Sequence, residues 1–209
     1  MSTPLILNSD QVGPWGMNTY ALIDPDSNQS VLFDPGGDPE KLMAMLGDST
    51  PIAIILTHTH EDHVMVLDEM KKRLGVPVIL HPGPVETGEV VEGDQWLNDG
   101  DTFQLGAHTL HAAYAPGHIG NHIALIIEGD NRIIVGDVIF EGGPGRTWTN
   151  EGFKTSLDSL RNVVLGWSDD AICHPGHGPI FRLGDVREQV EGFLAKDHGD
   201  FFGDAEWGM

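Results

Sequence analysis

The sequence predicts an α/β fold in which two β-sheets pack face to face with helices on the outside. Segments with strand and helix patterns alternate along most of the chain. The run Ile52 to Leu56 is continuously apolar, which is typical of a strand covered by protein on both faces. The second half also follows an order of elements similar to the first, without a visible sequence repeat. The 209 residues, 40% of them hydrophobic, fit one domain that spans residues 1–209.

The first half starts with short strands separated by Gly, Pro, Asp and Asn, which favour turns. A helix should follow the loop at 34–37, because Asp38 can cap it and Pro39 suits its first turn. A longer helix follows the apolar strand and ends at Gly75, and Pro82 to Asp101 is expected to be irregular. The predicted strands are Leu5 to Leu7, Thr19 to Ile23, Val31 to Phe33, Ile52 to Leu56 and Val76 to Leu80. The shorter helix is expected to bury Leu42, Met45 and Leu46. The longer helix spans Asp62 to Leu74 and is expected to bury Val66, Leu67, Met70 and Leu74.

The second half continues the alternation with four predicted strands and two helices. The tail is rich in aromatic residues for a chain end, so it is expected to dock on its own domain or on a second subunit. The strands are His108 to Ala115, His122 to Ile127, Arg132 to Val135 and Ala171 to Cys173; the helices are Thr155 to Leu165 and Asp185 to Ala195; the aromatic tail residues are Phe201, Phe202 and Trp207.

The composition limits the classes of partner. The formal net charge is −21 and the 11 Lys and Arg residues are scattered, which argues against a nucleic-acid partner. The acidity fits either a solvated surface that keeps the protein soluble or a field that attracts cations. No apolar stretch approaches the roughly 20 residues of a membrane span, so no membrane partner is expected. Both a monomer and a homodimer are compatible with the sequence.

Two features favour a cytoplasmic location. The N-terminus, Met1 to Pro4, lacks the basic and apolar regions of a secretory signal. The single cysteine, Cys173, rules out an intrachain disulfide. A chain whose signal had been removed would look the same.

The run Thr57 to His63, directly after the apolar strand, brings three histidines and an aspartate close together. Neutral imidazole and carboxylate bind a borderline divalent metal such as zinc at neutral pH. Three buried histidines in one short loop would also be hard to supply with hydrogen-bond partners in the absence of a metal. We therefore predict metal ligation by His58, His60, Asp62 and His63.

Three further candidate ligands follow predicted strands, and each stands next to a glycine. His118 follows Pro116-Gly117, Asp137 follows Gly136, and His177 follows Pro175-Gly176. Glycine lets the backbone turn tightly beside a site, and in layered α/β folds sites form at the carboxyl ends of strands. Five histidines and two aspartates are too many for one tetrahedral zinc. They suit two divalent metals about 3.5 to 4 Å apart that share a carboxylate and a hydroxide.

The combined motifs resemble the metallo-β-lactamase superfamily, and within it the glyoxalase II-like (hydroxyacylglutathione hydrolase-like) branch in a single-domain form. They are His-x-His-x-Asp-His, a later Pro-Gly-His, a Gly-Asp after a strand, and a final Pro-Gly-His-Gly-Pro. Asn18-Thr19-Tyr20 and Asp34-Pro35-Gly36-Gly37 extend the match over nearly the whole chain. The resemblance implies a four-layer αβ/βα sandwich with two mixed sheets. It implies one metal on His58, His60 and His118, a second on Asp62, His63 and His177, and Asp137 as the bridge.

The resemblance also implies a binuclear metal-dependent hydrolase of a thioester or another small acyl ester. A hydroxide that bridges the metals would be the nucleophile, and the metals would stabilise the developing oxyanion. Asp62 is placed to hold or accept the proton of that water in addition to ligating a metal. Zinc is the first expectation for both ions, and iron or manganese accept the same ligand set.

The chain departs from full-length glyoxalase II enzymes because no extended basic helical region follows His177. The substrate therefore need not contain glutathione. Arg146, in a glycine-rich loop, could orient an anionic substrate, or it could pair with a surface carboxylate. Trp148 could line the pocket or cover the core, and the core is the favoured expectation. Structural or outer-sphere roles are expected for the remaining histidines, His81, His108, His111, His122 and His174. Among these, His122 could donate to a ligand or to the substrate.

One alternative lies in the same fold. Persulfide dioxygenases bind a single iron through two histidines and one aspartate, which here would be His58, His118 and Asp137. The completeness of the second set of ligands favours two metals and hydrolysis. Nucleases of the superfamily carry added basic regions that this chain lacks. Zinc β-lactamases have a ligating cysteine where this chain has Asp137, which argues against that activity.

Overall fold

The computed structural model describes residues 2–209, and these form twelve strands in two six-stranded sheets. The strands are β1 Ile6–Val12, β2 Met17–Asp24, β3 Gln29–Phe33, β4 Thr50–Ile55, β5 Val78–Leu80, β6 Gln95–Trp96, β7 Thr102–Leu105, β8 His108–Tyr114, β9 Ile123–Ile127, β10 Arg132–Gly136, β11 Ile172–Pro175 and β12 Phe181–Arg182. Sheet I has the order β1-β2-β3-β4-β5-β6, and sheet II has the order β12-β11-β10-β9-β8-β7.

Five α-helices connect and cover the strands: α1 Pro39–Leu46, α2 Glu61–Val64, α3 Leu67–Leu74, α4 Asn150–Asn162 and α5 Leu183–Leu194. A single 3-10 turn, Val164–Gly166, follows α4. The longest of the described helices, α4, has 13 residues, and none of them combines the length and apolar character that a bilayer crossing requires.

Both sheets are mixed. In sheet I, β1, β2 and β3 pair antiparallel, whereas β3 to β6 pair parallel. The β3–β4 crossover contains α1, the β4–β5 crossover contains α2 and α3, and the β5–β6 connection contains no helix. In sheet II the β10–β11 pair is parallel, with α4 in its crossover, and the other pairs are antiparallel. The parallel strands β4, β10 and β11 therefore end at loops that carry the predicted ligands.

Three apolar layers hold the sheets and helices together. The central layer lies between the sheets and includes Phe33 and Ile55 from sheet I and Leu125 from sheet II. A second layer packs α1 and α3 on the outer face of sheet I, with Leu42 and Met70 fully buried. A third packs α4, α5 and the tail on sheet II. This helix–sheet–sheet–helix arrangement is the predicted four-layer sandwich.

The segment predicted as one helix from Asp62 to Leu74 forms two helices instead. The break falls at Met65 and Val66, because the Val66 backbone N–H donates to Pro35 O at 3.1 Å and leaves the helical pattern. Of the predicted core face, Leu67 and Met70 are buried, while Val66 and Leu74 are only half-buried. Gly75 ends the helix in the left-handed conformation, as predicted.

One helix cap and one helix start also differ from the prediction. Asp38 precedes α1, but its carboxylate accepts from the Gly13 N–H at 3.0 Å rather than capping the helix. Helix α4 begins at Asn150, five residues before the predicted Thr155, because the Thr149 hydroxyl caps it by accepting from the Gly152 N–H at 3.0 Å. The short strands β6, β7 and β12 were not predicted, since runs of two to four residues carry little periodic signal.

The tail docks on the chain's own outer layer. Trp207 is buried and its indole N–H donates to Glu141 O at 2.9 Å. Phe201 packs against Phe153 with ring centroids 5.0 Å apart. Phe202 is 54% exposed. Docking on the chain itself is one of the two predicted outcomes.

Candidate metal centre

The loop after β4 supplies two members of a first histidine cluster, and the loop after β8 supplies the third. One ring nitrogen from each of His58, His60 and His118 lies within 4.8 Å of the others. His60 Nδ1 and His118 Nε2 are 2.8 Å apart. His58 Nε2 is buried and has no hydrogen-bond partner among residues 2–209. These three nitrogens therefore converge on one small volume.

A second cluster lies beside the first. Helix α2 carries Asp62 and His63, and the turn after β11 carries His177; one donor atom from each lies within 4.8 Å of the others. Asp62 Oδ2 and His177 Nε2 are 2.8 Å apart. His63 is fully buried, whereas Asp62 and His177 reach the solvent.

Asp137 stands between the two clusters. Its Oδ1 lies 3.5 Å from His63 Nε2 in the second cluster, and its Oδ2 lies 3.5 Å from His118 Nε2 in the first. His177 Nε2 is 3.8 Å from the same Oδ2. The side chain is buried, and Oδ1 has no hydrogen-bond partner in the described part of the chain. The structure thus brings all seven predicted ligands together, with one aspartate facing both groups.

The outward-facing ring nitrogens of four histidines contact specific partners. Such contacts fix the tautomer and the ring orientation, and so decide which nitrogen faces a metal. Each contact leaves the other nitrogen directed at the centre. The contacts are His58 Nδ1 to Thr57 Oγ1 at 3.0 Å, His60 Nε2 to Thr87 Oγ1 at 2.9 Å, His118 Nδ1 to Arg146 O at 2.8 Å, and His63 Nδ1 to Asp34 Oδ2 at 3.2 Å.

Asp34 was not among the predicted site residues. It is buried, and its carboxylate accepts from both the backbone N–H and the hydroxyl of Thr57, each at 2.8 Å. Its φ of 48° lies in the left-handed region, which is uncommon for a residue other than glycine and turns the chain directly after β3. The sequence signal was the Asp-Pro-Gly-Gly turn at a strand end, whose aspartate could have been assigned to the site.

Glycines allow the ligand loops to approach one another. A Cβ at Gly176 would lie 2.3 Å from Asp137 Oδ1 and 2.5 Å from His63 Cε1, so any side chain there would displace the ligands. Gly136, next to Asp137, has a φ of 51°, a conformation that favours glycine. These positions explain the strand–glycine–ligand pattern.

Hydrogen bonds from β2 hold the loop that carries His177. The Asn18 backbone N–H donates to Gly176 O at 2.7 Å, and the Tyr20 hydroxyl donates to Pro175 O at 2.7 Å. The Asn18 amide also donates to the carbonyls of Pro175 and Gly178. Sheet I therefore positions a ligand that sheet II supplies.

The electrostatics favour a bound cation. Burial lowers the pKa of His58 and His118, and burial followed by the charge of His118 lowers the pKa of His60 to about 3. Burial opposes ionisation of Asp137, but the neighbouring His63 more than offsets it and the pKa of the carboxyl falls. Burial alone would lower the pKa of His63. The interactions with Asp137 and then with Asp34 together outweigh burial, so the pKa of His63 is raised.

These directions describe a site that attracts positive charge. The lowered pKa values of the first histidine cluster and of Asp137 give neutral imidazoles and an ionised carboxylate, which are the forms that bind divalent metals. The raised pKa of His63 reflects the negative charge of Asp137 and Asp34 around it. The buried nitrogens His58 Nε2 and His63 Nε2 also lack hydrogen-bond partners among the described residues. Unpaired buried polar atoms are costly, and metal coordination would satisfy them. The donor set therefore fits one or two divalent cations.

An open cavity of about 680 Å³ leads to the two clusters. Trp148 lines it and is 40% exposed, with its ring centroid 4.8 Å from that of His60, so the prediction that Trp148 covers the core was wrong. Arg146 also lines the cavity, and its Nη1 lies 3.1 Å from Asp204 Oδ2. Its carbonyl, rather than its guanidinium, contacts a predicted ligand.

The remaining histidines lie outside the donor clusters. His122 Nε2 accepts from the Asp137 backbone N–H at 2.9 Å, so it contacts a predicted ligand from outside the clusters, as an acceptor and not as the donor to a ligand that was one of its predicted roles. His81 stacks on Tyr114 with ring centroids 4.1 Å apart. His174 is buried, and neither ring nitrogen has a hydrogen-bond partner within residues 2–209.

Known proteins resemble both the sequence and the fold. A family model described as "Metallo-beta-lactamase superfamily" matches residues 13–177. A probable metallo-hydrolase, YqgX of Bacillus subtilis, is 33% identical over 193 residues, covering 80% of this chain and 88% of its own. The hydroxyacylglutathione hydrolase GloC of Haemophilus influenzae is 29% identical over 187 residues, with the same coverage. The BLEG-1 B3 metallo-beta-lactamase superposes with a TM-score of 0.79 at 27% identity, covering 91% of this chain and 100% of its own. The predicted fold class is confirmed.

Proposed function

The chain belongs to the metallo-β-lactamase superfamily, and we propose that it is a binuclear metal-dependent hydrolase of thioesters or other small acyl esters. The observation that carries the proposal is the position of Asp137, with one carboxylate oxygen near each of two donor clusters. Seven donors around a shared carboxylate match the needs of two divalent cations. The names of the relatives YqgX and GloC support hydrolysis and, for GloC, a thioester substrate.

The ligand assignment follows the clusters. His58, His60 and His118 would hold one metal, Asp62, His63 and His177 the other, and Asp137 both. When bound, the metals supply Lewis acidity, which lowers the pKa of a water molecule and polarises an acyl oxygen. Zinc is the first candidate, and iron and manganese suit the same donors.

Asp62 is the proposed catalytic carboxylate. It lines the cavity, and its Oδ2 lies 2.8 Å from His177 Nε2. Burial opposes its ionisation, but the hydrogen bond with His177 and the charges of His63 and His177 together outweigh burial, so the pKa of the carboxyl is lowered. Asp62 is therefore ionised at neutral pH, the form in which a carboxylate can accept the proton of an attacking water in addition to ligating a metal. A thiolate leaves readily without a protonated acid, which favours thioesters over alkyl esters.

The test combines metal analysis with a substrate panel. Protein loaded with zinc, iron or manganese is assayed on S-lactoylglutathione, other acyl thioesters, lactones, phosphodiesters and a β-lactam. We expect about two metals per chain and hydrolysis of at least one thioester. His177→Ala should lose metal and activity, whereas His111→Ala, whose ring lies by the exposed Glu128, should lose neither.

Three outcomes would contradict the proposal. Absence of turnover on every acyl substrate by the fully loaded protein would end it. A single iron per chain, with oxygen uptake on glutathione persulfide, would support the mononuclear dioxygenase instead. Faster hydrolysis of the β-lactam than of any thioester would place the chain with the β-lactamases of the superfamily.

A further inference from the structure

The mouth of the metal cavity is aromatic. Trp15 and Trp148 line it and are 56% and 40% exposed. The Trp148 ring lies beside the first histidine cluster, with its centroid 4.8 Å from His60 and 5.3 Å from His118. A substrate whose carbonyl faces the donor atoms must therefore extend its remaining part past exposed indole rings, which favour apolar groups and cations.

The same mouth is negatively charged. Glu61 and Glu89 line the cavity and are exposed. Arg146 is the one cation among the described residues that line it, and its guanidinium is paired with Asp204 at 3.1 Å. The adjoining cavity, which shares His118, Asp137, Arg146 and His177, adds Asp204 and Glu206. The net charge of −21 extends this negative field beyond the mouth.

We propose that the leaving group of the substrate is a neutral or cationic thiol rather than one that carries two carboxylates, as glutathione does. This inference rests on the proposed thioester hydrolysis and names the class of substrate. With the acyl carbonyl held at the donor atoms at the base of the cavity, the thiol part of the substrate would extend toward the mouth, where Glu61 and Glu89 disfavour carboxylates.

The reaction is ordinary hydrolysis. The oxygen of water bonds to the acyl carbon, and the carbon–sulfur bond breaks with its electron pair on sulfur. One proton of the water goes to the departing thiolate and the other to solvent, so a thiol and a carboxylate are released. The proposal concerns only the charge of the group on sulfur.

The first test compares thioesters that share one acyl group. Lactate is esterified to thiocholine (cationic), N-acetylcysteamine (neutral) and glutathione (anionic), and kcat/KM is measured with metal-loaded protein at low and high salt. We expect the first two to exceed the glutathione ester by about tenfold at low ionic strength, with a smaller difference at 1 M salt because screening weakens the field. A preference for the glutathione ester at low salt would overturn the proposal.

The second test uses a matched pair of variants. Glu89→Gln removes a charge at the mouth, and Glu92→Gln removes the same charge from an exposed position on the same segment outside this cavity. Glu89→Gln should raise kcat/KM for the glutathione ester by about threefold and lower it for the thiocholine ester by a similar factor. Glu92→Gln should leave both unchanged. Equal effects of the two variants would show that the mouth does not select by charge.

A binding measurement separates this inference from the proposed chemistry. S-methylthiocholine and S-methylglutathione resemble the leaving groups but contain no thioester to hydrolyse, and exposed Trp15 and Trp148 report their binding by fluorescence. Tighter binding of the cationic analogue, weakened by Glu89→Gln, supports the selection even if no thioester is turned over. In that case hydrolysis fails while the charge preference holds. Tighter binding of S-methylglutathione would overturn the preference whatever the turnover.

Discussion

Replacement of Asp34 by asparagine should weaken the second metal site although Asp34 is not itself a proposed ligand. The carboxylate accepts two hydrogen bonds from Thr57 and lies 3.2 Å from His63 Nδ1. Asparagine has nearly the same shape, but it keeps only one acceptor oxygen and loses the charge. His63 would then lose the anionic partner that directs its Nε2 toward Asp137.

The magnitude follows from these contacts. A hydrogen bond to a charged group contributes about 1.5 to 3 kcal/mol, and one of the two from Thr57 is lost or weakened. We expect the free energy of unfolding to fall by about 2 kcal/mol. Loss of a partner that orients a metal ligand typically lowers metal affinity by about 10- to 100-fold. The affinity of the weaker-bound metal should therefore fall by this factor.

The assay is a competition titration with a chromophoric chelator, alongside chemical denaturation of the metal-free protein. Asp24→Asn is the matched control, because Asp24 is also buried and accepts hydrogen bonds from Ser27 and from the Asp26 backbone, but does so remote from the metal centre. Asp24→Asn should lose stability without loss of metal affinity. If Asp34→Asn binds both metals as tightly as the unmodified protein, the orienting role of Asp34 is wrong.

Three further predictions concern Asp137, Cys173 and His174. Asp137→Ala should lower kcat by more than about a hundredfold and reduce metal content; near-normal activity would refute its shared role. Burial raises the pKa of Cys173 to about 12, so iodoacetamide at pH 8 should modify it at least about a thousandfold more slowly in the folded than in the denatured protein, by mass spectrometry. Burial, followed by the charge of Arg132, lowers the pKa of His174 to about 4. This pKa is below the unfolded value of about 6.5. The contribution of neutral His174 to the free energy of unfolding is therefore complete above pH 6.5 and is lost as the pH falls toward 4. In the metal-free protein, the free energy of unfolding should therefore fall less between pH 6.5 and pH 4 in His174→Phe than in the unmodified protein, by up to about 3 kcal/mol. An unchanged pH profile would contradict this.

Much of the fold was predictable because its strongest signals are local. The apolar run that forms β4 and the face of α1 with Leu42 and Leu46 follow from sequence patterns alone. The division between α2 and α3 was not predictable, because the Val66 N–H leaves the helix for Pro35, a partner that is distant in sequence. Likewise, Thr149 is a good cap in isolation, but Asp38 is too, and only the fold decides which of them caps a helix.

In the candidate site, too, the sequence predicted some of the residues and not others. The seven proposed ligands were found from residue type and spacing, since imidazole and carboxylate beside glycine at strand ends are rare without a metal. Their outward partners were not found. Thr87 lies in an irregular segment, and the partner of His118 is the backbone carbonyl of Arg146, which every residue possesses. Only tertiary structure shows which of many such groups faces a ligand.

The packing of the two sheets is therefore a condition for the proposed chemistry. His58 and His63 follow β4 in sheet I, whereas Asp137 and His177 follow β10 and β11 in sheet II. The sheets are tied at this edge by the Ile123 N–H, which donates to Thr57 O at 2.8 Å, and by the bonds from β2 to the loop before His177. A small shift of one sheet against the other would move Asp137 away from one cluster. The close contact of Gly176 with Asp137 and His63 leaves little room for such a shift. The interface between the sheets thus fixes the relative positions of the donor atoms. The proposed selection among substrates depends instead on exposed side chains at the cavity mouth, which are not among the proposed ligands.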